Sequence, residues 1–257
     1  MVIGLEIFRK YFEQYPDNYV IIGGTACDLI LDEAGFVPRA TKDIDLILVV
    51  EALNADFVKK FWQFIADGNY EVKEKSAEER KYYRFMKPGN NEFPLQIELF
   101  ARNPDLLDLD ENTHLTPIPA DDDQPSLSAI MLNDDYYQYI LEHCVNENGL
   151  QRANNEALIC MKAKAYLEIS ERIANGSKDE TKQLRKHRGD VFRLAVMLSE
   201  NHLFELPESI KVDLQNFTDA ISGDLPGKEL FKEMGIGSIA PENVLNQILK
   251  SFQLDGK

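Results

Sequence analysis

Apolar residues near the start of the chain fall at Ile3, Ile7, Phe8, Tyr11 and Phe12, the spacing of one helical face. A first helix is expected over 3–14, ended by Pro16-Asp17-Asn18. The period then changes. Residues 19–22 form a short apolar strand that stops at Gly23-Gly24, and a helical pattern follows over about 24–34. Gly35 stops it, and Pro38 imposes an extended approach to Thr41. A second strand is expected over 44–50. A third helix is expected from Ala55 to Asp67, with Asn54 as its N-cap. Phe57, Phe61, Trp62 and Ile65 give that helix a core face. Further strands are expected at 70–74, 82–87 and 93–100, with a charged loop at 75–81 and a turn at Pro88-Gly89-Asn90-Asn91.

Residues 101–123 are polar and rich in proline, which reads as loops with one short strand near 115–118. The run Asp121-Asp122-Asp123 reads as a solvated loop. A strand at 128–132 and a helix at 136–144 follow. From Asn154 onward the pattern is helical, with segments at about 154–174, 178–200, 207–220, 227–234 and 241–252. The expectation is an α/β (α+β) chain. Its residues 1–125 build a mixed β-sheet flanked by helices, and residues 126–257 build a mainly helical domain.

Composition narrows the function. The chain has 257 residues, 44% of them apolar, enough to bury a full core. Its net charge is −16, whereas binding a long polyanion requires a basic surface. Between Glu98 and Asp135 ten residues are acidic and one, Arg102, is basic, which argues against duplex DNA as a partner. No apolar run is long enough to span a bilayer, and the N-terminal residues lack a cleavable signal pattern; a cytoplasmic location without membrane contact is expected. Cys27, Cys144 and Cys160 are widely spaced and read as reduced thiols, and the four histidines lack zinc-ligand spacing.

The candidate chemistry lies in residues 20–50. Along a strand, side chains i and i+2 share a face, so Asp43 and Asp45 point the same way. Two adjacent carboxylates repel, and a hard divalent cation, Mg²⁺ or Mn²⁺, relieves that repulsion. The Gly23-Gly24 turn leaves backbone N–H groups at a helix start, where a phosphate is favoured. In Leu95-Gln96-Ile97-Glu98-Leu99-Phe100, Gln96 and Glu98 share a second polar face between apolar neighbours. A triphosphate carries more charge than its metal neutralises, so a Lys or Arg should meet its tail: Lys162 first, then Lys186 or Arg188. Lys162 and Lys164 stand about 200° apart on a helix, so at most one serves that role.

Gly23-Gly24-Thr25-Ala26, followed by Arg39-Ala40-Thr41-Lys42-Asp43-Ile44-Asp45-Leu46, resembles the nucleotidyltransferase (polymerase beta-like) superfamily. The Arg-x-Thr-x-Asp-Ile-Asp form is most similar to the abortive-infection toxin nucleotidyltransferases of the AbiEii type. The resemblance implies a nucleotidyltransferase fold and a catalytic, metal-binding triad of Asp43, Asp45 and Glu98. It implies nucleotide binding by Gly23, Gly24, Thr25, Arg39 and Thr41, with Lys162, Lys186 and Asp190 in the helical half. Asp190 is expected to pair with Lys162 and orient it. The chain departs from the family pattern at three places. Thr25 stands where Ser is commoner, Gly189 replaces a Lys, and Arg193 replaces a second Asp.

The implied reaction moves an NMP from an NTP donor to an acceptor hydroxyl: a tRNA 3′ end, a protein or a small molecule. A cognate antitoxin is the implied partner. The alternative is a non-catalytic nucleotide-binding or protein-interaction module on the same fold, for which the departures at Gly189 and Arg193 speak.

Overall fold

A computed structural model describes residues 2–39, 41–71, 82–100, 133–176 and 180–256. The expected strands near 115–118 and 128–132, the loops at 75–81 and 101–123 and the run Asp121-Asp122-Asp123 lie outside the described residues. Two compact units are present. The first comprises Met1–Asp28, Ala40–Leu132 and Cys144–Ala153; the second comprises Leu29–Arg39, Asn133–His143 and Asn154–Lys257.

The first unit is built on a six-stranded mixed sheet. Its strands are β1 (Tyr19–Ile22), β2 (Asp43–Leu48), β3 (Tyr82–Met86), β4 (Gln96–Phe100), β5 (Cys144–Glu147) and β6 (Leu150–Ala153), ordered β3-β4-β2-β1-β6-β5. β1 runs antiparallel to β2 and parallel to β6; β2 runs parallel to β4; the β3–β4 and β5–β6 pairs are antiparallel. All four residues of β1 are buried, as an inner strand covered on both faces requires.

Two helices of this unit, α1 (Leu5–Phe12) and α3 (Ala55–Gly68), supply an aromatic core. α1 buries Leu5, Phe8 and Phe12, and α3 buries Phe57, Val58, Phe61, Phe64 and Ile65. The Phe12 ring lies 5.7 Å from Phe57, 6.1 Å from Phe61 and 5.4 Å from Phe64, within the range of favourable aromatic pairs. Asn54 caps α3 as expected, accepting the Phe57 N–H at 2.9 Å.

Several boundaries differ from the sequence expectation. Of the expected strand at 70–74, Glu71 bridges Met86 and residues 72–74 lie outside the described residues. β2 stops at Leu48, because residues 50–52 turn into a 3₁₀ segment. The β5–β6 hairpin was not expected. Asn148 and Gly149 hold φ of 52° and 77° at its turn, the left-handed pair that a tight hairpin demands.

The second unit is helical. α2 (Gly23–Glu33) begins in the first unit, and its last residues belong to the second. α4 (Asp134–Glu142), α5 (Asn155–Ala174), α6 (Thr181–Ala195), α7 (Glu208–Ile221), α8 (Glu229–Glu233) and α9 (Pro241–Ser251) follow. Asn133 and Asn154 cap α4 and α5 by accepting backbone N–H groups. α5 packs against α6 and α7, and α9 packs against α6. Among the described residues no helix is long and apolar enough to cross a membrane.

Candidate active site

Strand register gathers the acidic residues. Ile22 pairs with Asp45 across β1–β2, Asp45 with Glu98 across β2–β4, and Glu98 with Arg84 across β4–β3. Side chains alternate faces along a strand, so Ile22, Asp45, Glu98 and Arg84 form one transverse row on one face. The next row on that face holds Asp43, paired in register with Gln96. Ile44, Ile97 and Leu99 point to the opposite face and are fully buried.

The turn after β1 completes this arrangement. Gly23 opens α2 with φ +69°, and a Cβ there would lie 1.8 Å from Asp45 Oδ2. The Asp45 carboxylate therefore rests against the Gly23 backbone, in space only glycine leaves open. Gly24 follows, buried, in the first turn of α2. Thr25 is fully buried, and its hydroxyl donates to the Asp43 carbonyl at 2.5 Å, tying α2 to β2. The Thr41 N–H donates to buried Asp28 at 2.6 Å, which fixes the approach to Asp43.

Glu98 is the buried member of the row, 3% exposed, while Asp43 and Asp45 are half-buried. Burial first, and then the Asp45 charge, push the Glu98 carboxyl up to about 7, against the opposing pull of Arg84. Arg84 Nε stands 2.8 Å from Glu98 Oε1, and Gln96 Nε2 donates to the same oxygen at 2.8 Å. Among the described residues no group of three or more His, Cys, Asp or Glu is gathered to hold a metal. The half-buried pair Asp43 and Asp45 nonetheless suits Mg²⁺, which binds through one or two carboxylates and takes its remaining ligands from water and substrate phosphates. The Gly23 cradle that seats Asp45 supports that fit.

The second unit holds a separate cluster. Asp190, 2% exposed, lies 3.3 Å from Lys162 Nζ, 3.4 Å from Arg39 Nε and 3.6 Å from an Arg193 terminal nitrogen. Burial works to raise the Asp190 carboxyl, but the charges of Lys162, Arg39 and Arg193 outweigh it and leave it below its ordinary value. Burial, with the charges of Lys162 and Lys186, holds His187 well below the usual imidazole range, so it is neutral. Arg193 also reaches Glu233 at 3.4 Å, so Asp190 shares its cations with a second, exposed carboxylate. Lys164, two residues from Lys162, turns instead to Asp213 at 3.0 Å.

Gly189 and Arg193 are linked in space. A Cβ at Gly189 would lie 3.1 Å from the Arg193 guanidinium, so the small residue leaves room for the large one.

Of the site residues expected from sequence, the structure brings Gly23, Gly24, Thr25, Thr41, Asp43, Asp45 and Glu98 together in the first unit. It joins Arg39, Lys162 and Asp190 in the second, with Lys186 close enough to act on His187. Arg84 and His187 were not singled out from the sequence, and Arg193 was named only as a replacement for an expected Asp. Arg84 carried a signal: Tyr83-Arg84-Phe85 repeats the apolar–charged–apolar pattern of Ile97-Glu98-Leu99.

No family model and no curated protein matches this chain. Among solved structures it is similar to an antigenic nucleotidyltransferase-like protein from Paracoccidioides brasiliensis, with 17% identity, a TM-score of 0.43, and coverage of 90% of this chain and 92% of that one.

Proposed function

We propose that the chain is a metal-dependent nucleotidyltransferase that moves an NMP from an NTP to an acceptor hydroxyl. The observation behind this reading is the placement of Asp45, which sits against the Gly23 turn on one side and pairs in register with Glu98 on the other. Phosphate-binding turn, carboxylate pair and buried acid thereby share one face, in the order the sequence motif carries them.

Asp43 and Asp45 hold the cation, Mg²⁺ or Mn²⁺, and the backbone N–H groups at Gly23 and Gly24 face the β- and γ-phosphates. When bound, the cation neutralises triphosphate charge and stabilises the departing oxygen. Glu98 receives the proton of the acceptor hydroxyl. That oxygen bonds to the α-phosphorus, the bond from the α-phosphorus to the β-bridging oxygen breaks, and pyrophosphate leaves with the electron pair. Thr25 keeps β2 and α2 in register so that these groups stay aimed. The motif's AbiEii-like form favours an RNA 3′ end or a protein as acceptor and an antitoxin as partner.

Thermal melting with each of the four NTPs, with and without Mg²⁺, tests this. A ligand bound only by the native state raises the melting temperature. The expected result is a Mg²⁺-dependent rise for one NTP that disappears in Asp43→Ala. A rise that persists in the variant, or no rise with any NTP, overturns the assignment. A rise without pyrophosphate release in the presence of acceptors identifies a nucleotide-binding module instead.

A further inference from the structure

We propose that Asp28 is a positioning residue for the cation site: it holds the backbone at Thr41 so that Asp43 stands where it can share a cation with Asp45. This deepens the reading above and rests on it. The hold is one of three between α2 and the chain that enters β2. Gly23 seats the Asp45 carboxylate, whose Oδ2 lies 1.8 Å from where a Gly23 Cβ would stand. Thr25 donates its hydroxyl to the Asp43 carbonyl at 2.5 Å. Asp28 Oδ2 accepts the Thr41 N–H at 2.6 Å. Along the helix, Gly23, Thr25 and Asp28 thus meet Asp45, Asp43 and Thr41 in reverse order, and all six residues belong to the first unit. Thr25 and Asp28 are three residues apart and share one face of α2.

These holds fall where the sheet gives less support. The registered pairs between β1 and β2 run from Leu48 back to Asp45. Residues 36–39 and 41–42 lie in neither helix nor strand. On the β1 side, therefore, α2 takes over from the strand ladder at Asp43 and Thr41. The Thr41 hydroxyl is buried and has no hydrogen-bond partner among the described residues, so the N–H bond to Asp28 ties this residue to the helix. Asp28 itself is 6% exposed, and among the described residues no Lys, Arg or His forms an ion pair with it. Burying a carboxylate without a cation is costly. What it gains is a charge-assisted bond to a backbone N–H, about twice as strong as a neutral one.

Titrating Mn²⁺ into the full chain and following the free ion by electron paramagnetic resonance, with and without a non-hydrolysable NTP analogue, tests this without measuring turnover. Asp28→Leu keeps bulk and removes the acceptor. It should weaken Mn²⁺ binding about tenfold, as loss of outer-shell support does. Asp28→Asn keeps an acceptor oxygen without the charge and should bind Mn²⁺ close to wild type. Equal weakening in the Asn and Leu variants would mean that Asp28 acts through its charge and not through the bond. A lowered melting temperature in Asp28→Leu with unchanged Mn²⁺ affinity, measured below that temperature, would mean that it serves stability alone. Either result overturns the proposal and leaves the nucleotidyltransferase reading standing. No Mn²⁺ on wild type, with or without the analogue, overturns both. Should Asp28→Leu fail to fold, hydrogen exchange at the Thr41 amide still decides. Slow exchange in wild type and in Asp28→Asn, with Mn²⁺ affinity retained, is expected; fast exchange in wild type removes the bond and the proposal with it.

Discussion

Asp45 and Gly23 share one small volume: the Asp45 Oδ2 atom stands 1.8 Å from where a Gly23 side chain would begin. The backbone there also holds φ +69°, which L residues adopt at a cost. Gly23→Ala must therefore both strain the turn and push the carboxylate aside. A loss of about 1–3 kcal/mol in stability is expected from denaturant unfolding. Mn²⁺ binding should weaken at the same time. The variant binding metal as wild type does would show that Asp45 is not seated by this turn.

Thr25 acts at one remove from the chemistry. Its buried hydroxyl binds the Asp43 carbonyl, so Thr25→Val removes a donor while keeping shape. The expected cost is about 1–3 kcal/mol, the penalty for leaving a buried acceptor unmatched. Thr25→Ser should recover most of it. Chemical denaturation of the three proteins side by side decides; equal stability of Val and Ser variants would remove the role.

Asp190 is the buried anion that holds Lys162, Arg39 and Arg193 together. Asp190→Ala removes the buried anion from three cations, of which Arg193 keeps a carboxylate contact, Glu233 at 3.4 Å. Breaking a buried pair in this way costs about 3–5 kcal/mol. Urea unfolding should show this loss, and adding pyrophosphate or triphosphate should restore part of it by supplying the missing negative charge. A variant as stable as wild type would mean the cluster is solvated rather than buried.

His187 gives this cluster a pH dependence. Its folded-state value lies well below the ordinary imidazole value, through burial first and then the charges of Lys162 and Lys186. The unfolded state therefore binds a proton that the folded state refuses. Stability is full above about 6.5 and falls as pH drops toward the folded-state value. Asp190 adds a loss in the same direction lower down, because its depressed carboxyl stabilises the fold only while ionised, and that contribution fades below about 3.9. Melting temperatures from pH 7.5 to 5 should decline in wild type and decline less in His187→Asn. Parallel profiles would sink the assignment.

Much of the candidate site is legible in the sequence. Alternation along a strand places Asp43 and Asp45 on one face, and a charged residue between Ile97 and Leu99 marks Glu98. These are local consequences of covalent geometry, and they hold in the fold. The separation of Lys162 from Lys164 is equally local: one meets Asp190 and the other Asp213. The β5–β6 hairpin was not read from the sequence: Asn148-Gly149 is the dipeptide a tight turn selects, but its short polar strands show little hydrophobic alternation.

What the sequence alone determined was the identity of most helices and of the strands that carry Asp43, Asp45 and Glu98, the shared face of the carboxylates, and the glycines at the turn. Those follow from periods of two and 3.6 residues and from backbone sterics, which act between near neighbours. The tertiary structure decided which strands lie side by side. Only the pairing of β2 with β4, and of β4 with β3, sets Asp45 beside Glu98 and Glu98 beside Arg84. Only the packing of α6 brings Asp190 to Lys162 and Arg39, residues far apart along the chain. Such contacts depend on register between distant segments, chosen by burial of the whole core, and no local spacing encodes them.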